Sequence, residues 1–274
     1  MLKKLLISFI LALLVFGAFG FYSALKYRQS LNQTHQPVKT PDVTVTFLEG
    51  WNNKQIGSYL ENKSITKLAD FLAVERSFNA SDYPILSGLP KSADLEGFIF
   101  PDTYFIPGVA PSGTDISQII ITKALDNFTA RFTPQMQAQG AAADNMDVYQ
   151  IVTLASIIEK ETGHSQTDRQ IVAGIFYNRL KAGMPLQSDA TVSFFTGRSP
   201  VSPGDINTDS PYNTYMYKGL PRGPICNPSL SSIMAALYPT PSNYFYFLTD
   251  PKTGQVHYAV TYEQHLQNKA KYLQ

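Results

Sequence analysis

Asp147–Thr162, DVYQIVTLASIIEKET, is the stretch on which the rest of the chain turns. At about 100° per residue, Val148, Ile151, Val152, Ala155 and Ile158 share one stripe, the pattern of an amphipathic helix. Glu159 falls inside that stripe, between Val152 and Ala155, while Thr153, Ser156 and Lys160 lie on the other side and Glu161 sits at the stripe's edge beside Leu154. Burial disfavours the charged form of a carboxylate, so a Glu pressed among apolar neighbours is expected to keep its proton toward neutral pH. Such a group is a general acid, able to protonate a leaving oxygen. The alternative is a Glu near a helix end that is held by a salt bridge or lines a water-filled edge.

Outward from this helix the pattern is α+β. Gly163 ends the helix, Ser165 or Thr167 opens the next, and Asp168–Ala182 follows with Ile171, Val172, Ile175, Phe176 and Leu180 facing inward. Upstream, Thr114–Phe132 has helical spacing with Thr114 or Asp115 as cap. Asp42–Glu49 alternates as a strand, Asn52–Asn62 and Ile65–Phe78 read as short helices (Ser64 or Thr66 capping the second), and a strand is expected near Tyr104–Ile106. Downstream, Pro200–Pro228 is loop-like, Ser231–Leu237 is a short helix, Tyr244–Thr249 and Gln255–Val260 form a hairpin, and Tyr262–Leu273 closes as a helix. Long irregular loops inside a compact domain tend to carry function, which directs attention to the stretch between Pro185 and Pro228.

The bulk numbers exclude several classes. The 274 residues are 44% hydrophobic and 12% aromatic, enough for a core, and rich in Tyr (16) and Phe (17). Lys3, Lys4, Lys26 and Arg28 account for the N-terminal charge, leaving 18 basic against 21 acidic residues in the remainder, so nothing suggests a phosphate-neutralising surface and nucleic acid is not an expected partner. The lone Cys226 forbids an intrachain disulfide or a CxxC site and reads as a packed residue between Pro224 and Pro228. His35, His164, His257 and His265 lack metal-ligand spacing, so no metal and no cofactor is expected.

Leu5–Leu25 runs 21 residues without a charge behind Lys3 and Lys4, long enough at about 1.5 Å per residue to span a bilayer. It reads as a retained transmembrane anchor over residues 1–26, with a cleaved signal at Ala18-Phe19-Gly20 as the alternative. Residues 27–41 are a polar, proline-bearing tether, 42–108 a small module with an aromatic segment, and 109–274 a second domain.

Five segments make the chain resemble a known family: EGFIFPDTY (Glu96–Tyr104), LASIIEKET (Leu154–Thr162), VAGIFYNRLKAGMPLQSDATV (Val172–Val192), SPYNTYMYKGLPRGPICNPS (Ser210–Ser229) and YFYFLTDPKTGQVHYAVTYEQH (Tyr244–His265). They resemble the endolytic murein transglycosylases, the MltG/YceG-like family. The resemblance implies a single-pass inner-membrane protein with its catalytic domain outside the cytoplasm. It also implies cleavage of peptidoglycan glycan strands between N-acetylmuramic acid and N-acetylglucosamine to leave a 1,6-anhydro end, with peptidoglycan synthases as further candidate partners. It maps the family's catalytic Glu onto the first Glu of ASIIEKET, Glu159. Relatives usually carry a longer LysM-like region, of which Asp42–Pro90 keeps one strand-helix-helix unit, so the fold expected is an anchor, a truncated LysM-like α/β module and a mixed α+β catalytic domain.

In a lytic cut the 6-hydroxyl of the muramic acid attacks its own anomeric carbon, so one carboxyl group suffices as acid and then base. A hydrolase needs a second acid at a defined separation, and Asp189, Glu96 and Asp102 are the available seconds. Gln187, Ser188 and Asp189 could bond sugar hydroxyls or cap a turn; Tyr212, Asn213 and Tyr215 could orient sugars or serve the core. Asn178 is a further binding candidate. Arg179 reads as a solvated helix-end cation or the partner of a carboxylate or peptide stem, and Asn227 as a turn residue. A hydrolase on the same scaffold and a non-catalytic wall-binding or division scaffold remain the alternatives.

Overall fold

The computed structural model describes residues 17–29, 41–91, 93–142, 146–163 and 165–273. The chain divides into two units, Met1–Pro41 and Asp42–Gln274. In the first, residues 17–29 are helical (α1), which carries helix past the expected tether start at Tyr27. The rest of the apolar run and tether residues 30–40 lie outside the described residues, as does His164. Among the described residues no helix is long and apolar enough to cross a membrane.

The second unit is α+β and rich in helix. β1 (Val43–Thr46) pairs antiparallel with β2 (Thr103–Ile106), Val43 opposite Ile106 and Thr46 opposite Thr103. Between them lie α2 (Asn53–Asn62) and α3 (Leu68–Ser77). An Asn caps α2 well because its side-chain oxygen satisfies a donor that the helix itself leaves unpaired. Here Asn52 and Gln55 exchange bonds of 2.8 and 2.9 Å in a capping box. Neither Ser64 nor Thr66 caps α3: the cap position is Lys67, and Thr66 instead bonds Ser117 at 3.0 Å.

Next come α4 (Ile116–Arg131), capped by Asp115, α5 (Pro134–Ala142), α6 (Val148–Glu161), α7 (Gln166–Lys181), capped by Ser165, α8 (Asp189–Thr196) and α9 (Leu230–Leu237). β3 (Tyr246–Thr249) and β4 (Val256–Ala259) form the expected hairpin, and α10 (Tyr262–Tyr272) closes the chain behind a Thr261–Gln264 capping box. Two helices differ from expectation. α5 was not anticipated, and α8 replaces what reads as irregular loop after Pro185, ending on Gly197 in the left-handed conformation (φ 69°).

α6 is the axis of the unit, packed by α5, α7, α8 and α9. Every residue from Ile151 to Ile158 is buried, so the amphipathic reading is corrected: the helix has no solvent face along this length. Its polar residues are satisfied locally, Thr153 Oγ1 donating to Tyr149 O (2.7 Å) and Ser156 Oγ to Thr153 O (2.7 Å), while Ile225 N donates to Ser156 Oγ (3.0 Å). Cys226 is buried as expected, its thiol donating to Ser156 O at 3.3 Å.

A strap, residues 238–245, runs along α7 toward β3. Gln170 O accepts from Thr240 N (2.9 Å) and Gln170 Nε2 donates to Tyr238 O (3.2 Å). Gly174 lies beneath the strap, where a Cβ would collide with the Thr240 carbonyl. Both parties are backbone, so neither can swing aside. Gly174→Ala is therefore expected to lower stability by about 1–3 kcal/mol, the usual range for overpacking. Urea denaturation reads this, and a loss under about 0.5 kcal/mol would show that the strap is free to lift.

Candidate active site

A cleft of about 550 Å³ opens between the C-terminal end of α6, the start of α8, the hairpin and α10. Glu161, the last residue of α6, lines it with Gln187, Ser188 and Asp189. Tyr215 and the hairpin residue Tyr246 supply aromatic walls. Four of the residues expected to bind substrate, Gln187, Ser188, Asp189 and Tyr215, are thus brought together. They surround Glu161, not Glu159.

The local chemistry explains the convergence. Gln187 has φ 53°, a left-handed conformation that residues other than Gly seldom adopt, held by Gln187 N donating to Thr214 O (3.0 Å). This kink turns the next two residues into the cleft. Ser188 Oγ donates to Glu161 Oε1 at 2.5 Å, and Ser188 N donates to Thr214 Oγ1 at 3.0 Å. Asp189 begins α8, where negative charge is favoured, and accepts from Tyr215 OH at 2.5 Å. Burial pushes the Glu161 carboxyl above the usual carboxylate range, and the neighbouring Asp189 charge adds to this. The Ser188 hydroxyl, Arg179 and the Ala190 N–H oppose it without reversing it. Burial and Asp189 likewise raise the Tyr215 phenol, so it stays a hydrogen-bond donor.

Arg179 is the positioning cation that the sequence hid. It is buried, not solvated, and donates to Phe245 O (2.7 Å), Leu186 O (2.9 Å), Pro185 O (3.2 Å) and Gln187 Oε1 (3.3 Å). One side chain thereby ties the strap to the Gln187 turn. His265 of α10 also borders the cleft, stacked on Tyr246 with centroids 5.4 Å apart, its pKa lowered first by burial and then by Lys269 and Arg179. Spacing could not reveal Tyr246, His265 or Lys269, which reach the cleft from the end of the chain.

The remaining expected residues lie elsewhere. The Glu159 side chain is 7% exposed and does not line this cleft. Its Oε2 accepts from Ser229 N (3.0 Å), Ser229 Oγ (2.6 Å) and Ser232 Oγ (2.7 Å), and Arg169 lies 3.8 Å from Oε1. Glu159 therefore meets donors where the wheel suggests apolar contacts, and it clasps the N-terminus of α9 to α7. Asn178 spends both amide hydrogens on Ser242 O and Tyr244 O (2.9 Å each), holding the strap. Asn213 is buried and donates to Ile206 O and Thr208 O while accepting from Tyr215 N, shaping the loop that carries Tyr215. The Tyr212 ring packs on Phe194 (4.9 Å), with its phenol pushed up to about 12 first by burial. Glu96 is buried beside Asn53, and Asp102 pairs with Arg131 at 3.0 Å. Neither stands beside Glu161 as the second acid; Asp189 does. Asn227 is no mere turn residue. It is fully buried, donates to Trp51 O and Asn53 Oδ1, and accepts from Ile99 N.

Among the described residues, no group of three or more His, Cys, Asp or Glu could hold a metal ion. The cleft therefore combines a buried acid, a second carboxylate and aromatic walls. The chain matches the model of the YceG-like family over residues 7–271 and belongs to that family. It is 38% identical over 181 residues to the endolytic murein transglycosylase of Bacillus subtilis (strain 168), covering 65% of this chain and 48% of that protein. It is 31% identical over 267 residues to the protein of the same name from Streptococcus pneumoniae serotype 2 (strain D39 / NCTC 7466), covering 88% of this chain and 46% of that one. The chain thus spans about half the length of these two relatives. A crystal structure of a yceG-like protein from Listeria monocytogenes superposes with a TM-score of 0.71 at 32% identity, covering 88% of this chain and 80% of the other.

Proposed function

We propose that the chain is an endolytic peptidoglycan transglycosylase that cuts between N-acetylmuramic acid and N-acetylglucosamine, with Glu161 as its acid and base. The observation that carries this is the raised Glu161 carboxyl, set in a cleft with Asp189 and Tyr215. The names of the relatives support the substrate class. The protonated Glu161 gives its proton to the glycosidic oxygen as the bond to the anomeric carbon breaks. The carboxylate left behind then takes the proton of the 6-hydroxyl as that oxygen closes on the anomeric carbon, which returns Glu161 to its starting state. Asp189, held by Tyr215, places negative charge beside the positive charge that develops on the sugar ring. Ser188 fixes the Glu161 carboxyl in one orientation. The uncharged run Leu5–Leu25, flanked by Lys3 and Lys4, supports an anchor that holds this unit outside the membrane.

Asp189 also favours a second reading, a muramidase in which it directs water onto the anomeric carbon. Product masses after digestion of uncrosslinked glycan by the full chain separate the two. Anhydro ends are expected; reducing ends would assign hydrolysis, and no cleavage would remove both.

A further inference from the structure

A second cavity, of about 680 Å³, also borders α8 and has a different chemistry. Trp51, Tyr59 and Phe194 supply aromatic surface, and Lys54, Lys160 and Arg198 supply positive charge, with no acidic residue in its lining. The volume is within the range of small-ligand sites, roughly 300–1,000 Å³. The Trp51 and Tyr59 rings meet at 5.3 Å and 56°, forming an angled platform. That platform is fixed. Gly50, at φ 77°, lies against Glu159 and Lys160, and Gly50 N donates to Asn227 O (2.9 Å). Lys160 Nζ donates to Gly50 O (3.3 Å), and Asn227 N to Trp51 O (2.8 Å). Lys54 and Lys160 are both exposed, and neither has a carboxylate partner among the described residues. Arg198 is paired with Asp205, which leaves the two lysines as the uncompensated charges.

Aromatic faces beside uncompensated cations recognise a ligand that has an apolar surface and carries carboxylates. The cavity also shares its walls with the cleft: Lys160 precedes Glu161 on α6, while Ala190, Ser193 and Phe194 follow Asp189 on α8. We propose that this cavity binds the carboxylate-bearing peptide stem of the glycan strand whose backbone occupies the cleft. This rests on the function proposed above for its substrate class. It adds that stem-bearing strands are held at two places and stripped strands at one.

Trp51 is the sole tryptophan in the chain, so tryptophan emission, excited beyond the tyrosine absorption band, reports on this cavity alone. Titrating the full chain with muramyl dipeptide is expected to change Trp51 emission saturably. Affinity should fall about tenfold in Lys54→Gln/Lys160→Gln and weaken as salt screens the charges. Chitotetraose, uncharged and without a peptide, is expected to leave the emission unchanged. No saturable change with muramyl dipeptide, or an equal salt-independent response to both probes, overturns the proposal. In cleavage assays the ratio of KM for stem-bearing strands to KM for stripped strands should fall below one in the wild-type chain and rise about tenfold in the double variant; an unaltered ratio also overturns it. Should the wild-type chain cut neither strand, the proposed activity fails while the fluorescence titration still decides this site.

Discussion

Glu161→Gln is expected to reduce glycan cleavage about a thousandfold or more, whereas Glu159→Gln keeps it within about tenfold of wild type per folded molecule. The amide keeps the shape of the Glu161 side chain and can still accept from Ser188, so the cleft is preserved while its transferable proton is removed. General acid–base catalysis contributes about 10²–10⁴-fold, and here the same group acts in both directions. Glu159→Gln weakens a clasp instead. Ser229 and Ser232 can still donate to an amide oxygen, but the charge facing Arg169 is lost, with an expected stability cost of about 1–3 kcal/mol. Rates per folded molecule, measured beside urea melts, separate the two. Activity retained in Glu161→Gln but lost in folded Glu159→Gln would return the acid to Glu159. The pH profile supplies a second readout. Glu161 is pushed up partly by Asp189, so Asp189→Asn should move the alkaline limb of kcat/KM to lower pH. A limb that stays in place would mean that the two groups do not interact.

That contrast also marks where reading the sequence succeeds and where it stops. The order of elements was largely legible because it rests on local periodicity: apolar residues every three to four positions mark α4, α6 and α7, and strict alternation marks β1. The helical wheel found α6 but misjudged its surroundings, because a wheel assumes one wet and one dry face. α6 is enclosed from Ile151 to Ile158, so a carboxylate's place on the wheel says nothing about which one meets open space. Only its end does, and Glu161 is at the end. α8 was illegible for a different reason. Its DATVSFFT sequence is rich in β-branched and aromatic residues of modest helix propensity, and packing against α6 overrides that preference. Gln187, Ser188 and Asp189 nonetheless line one cleft together, since their neighbourhood is set by a short turn. Arg179 and Glu96 were misread because a single sequence does not reveal which charged residues are buried with partners.

Glu96 leads to the second large effect: the protein is expected to lose stability as pH rises from about 4.5 to about 7. Two carboxyl groups are buried together at the start of α2. Glu96 accepts from Asn53 N at 3.0 and 3.2 Å, and Glu75 accepts from Asn53 Nδ2 (2.8 Å) and Leu95 N (2.6 Å). Burial, reinforced by Asp94, raises Glu75 from 4.5 to about 7, opposed by the Leu95 N–H, then the Asn53 amide and Arg76; burial also holds Glu96 well above its ordinary range. Between the unfolded and folded values the folded chain binds the extra proton, so stability falls with rising pH across that window and levels off above it. A shift from 4.5 to about 7 corresponds to a loss on the order of 3 kcal/mol. Carboxylates held low, such as Asp102 and Asp250, act in the opposite sense, and only when pH drops below their ordinary range. His265, held below its ordinary value, works against the trend, and Glu161 adds to it. The diagnostic quantity is therefore the difference between wild type and Glu75→Gln. The amide oxygen can still accept from Asn53 and Leu95 but has no proton to lose, so urea melts at pH 5 and pH 8 should differ less in the variant than in the wild type. An identical pH slope in both chains would mean that Glu75 is already ionised in the folded protein. The pair would then be held by solvent or by counter-charge, and the start of α2 would not be the dry junction that its hydrogen bonds describe.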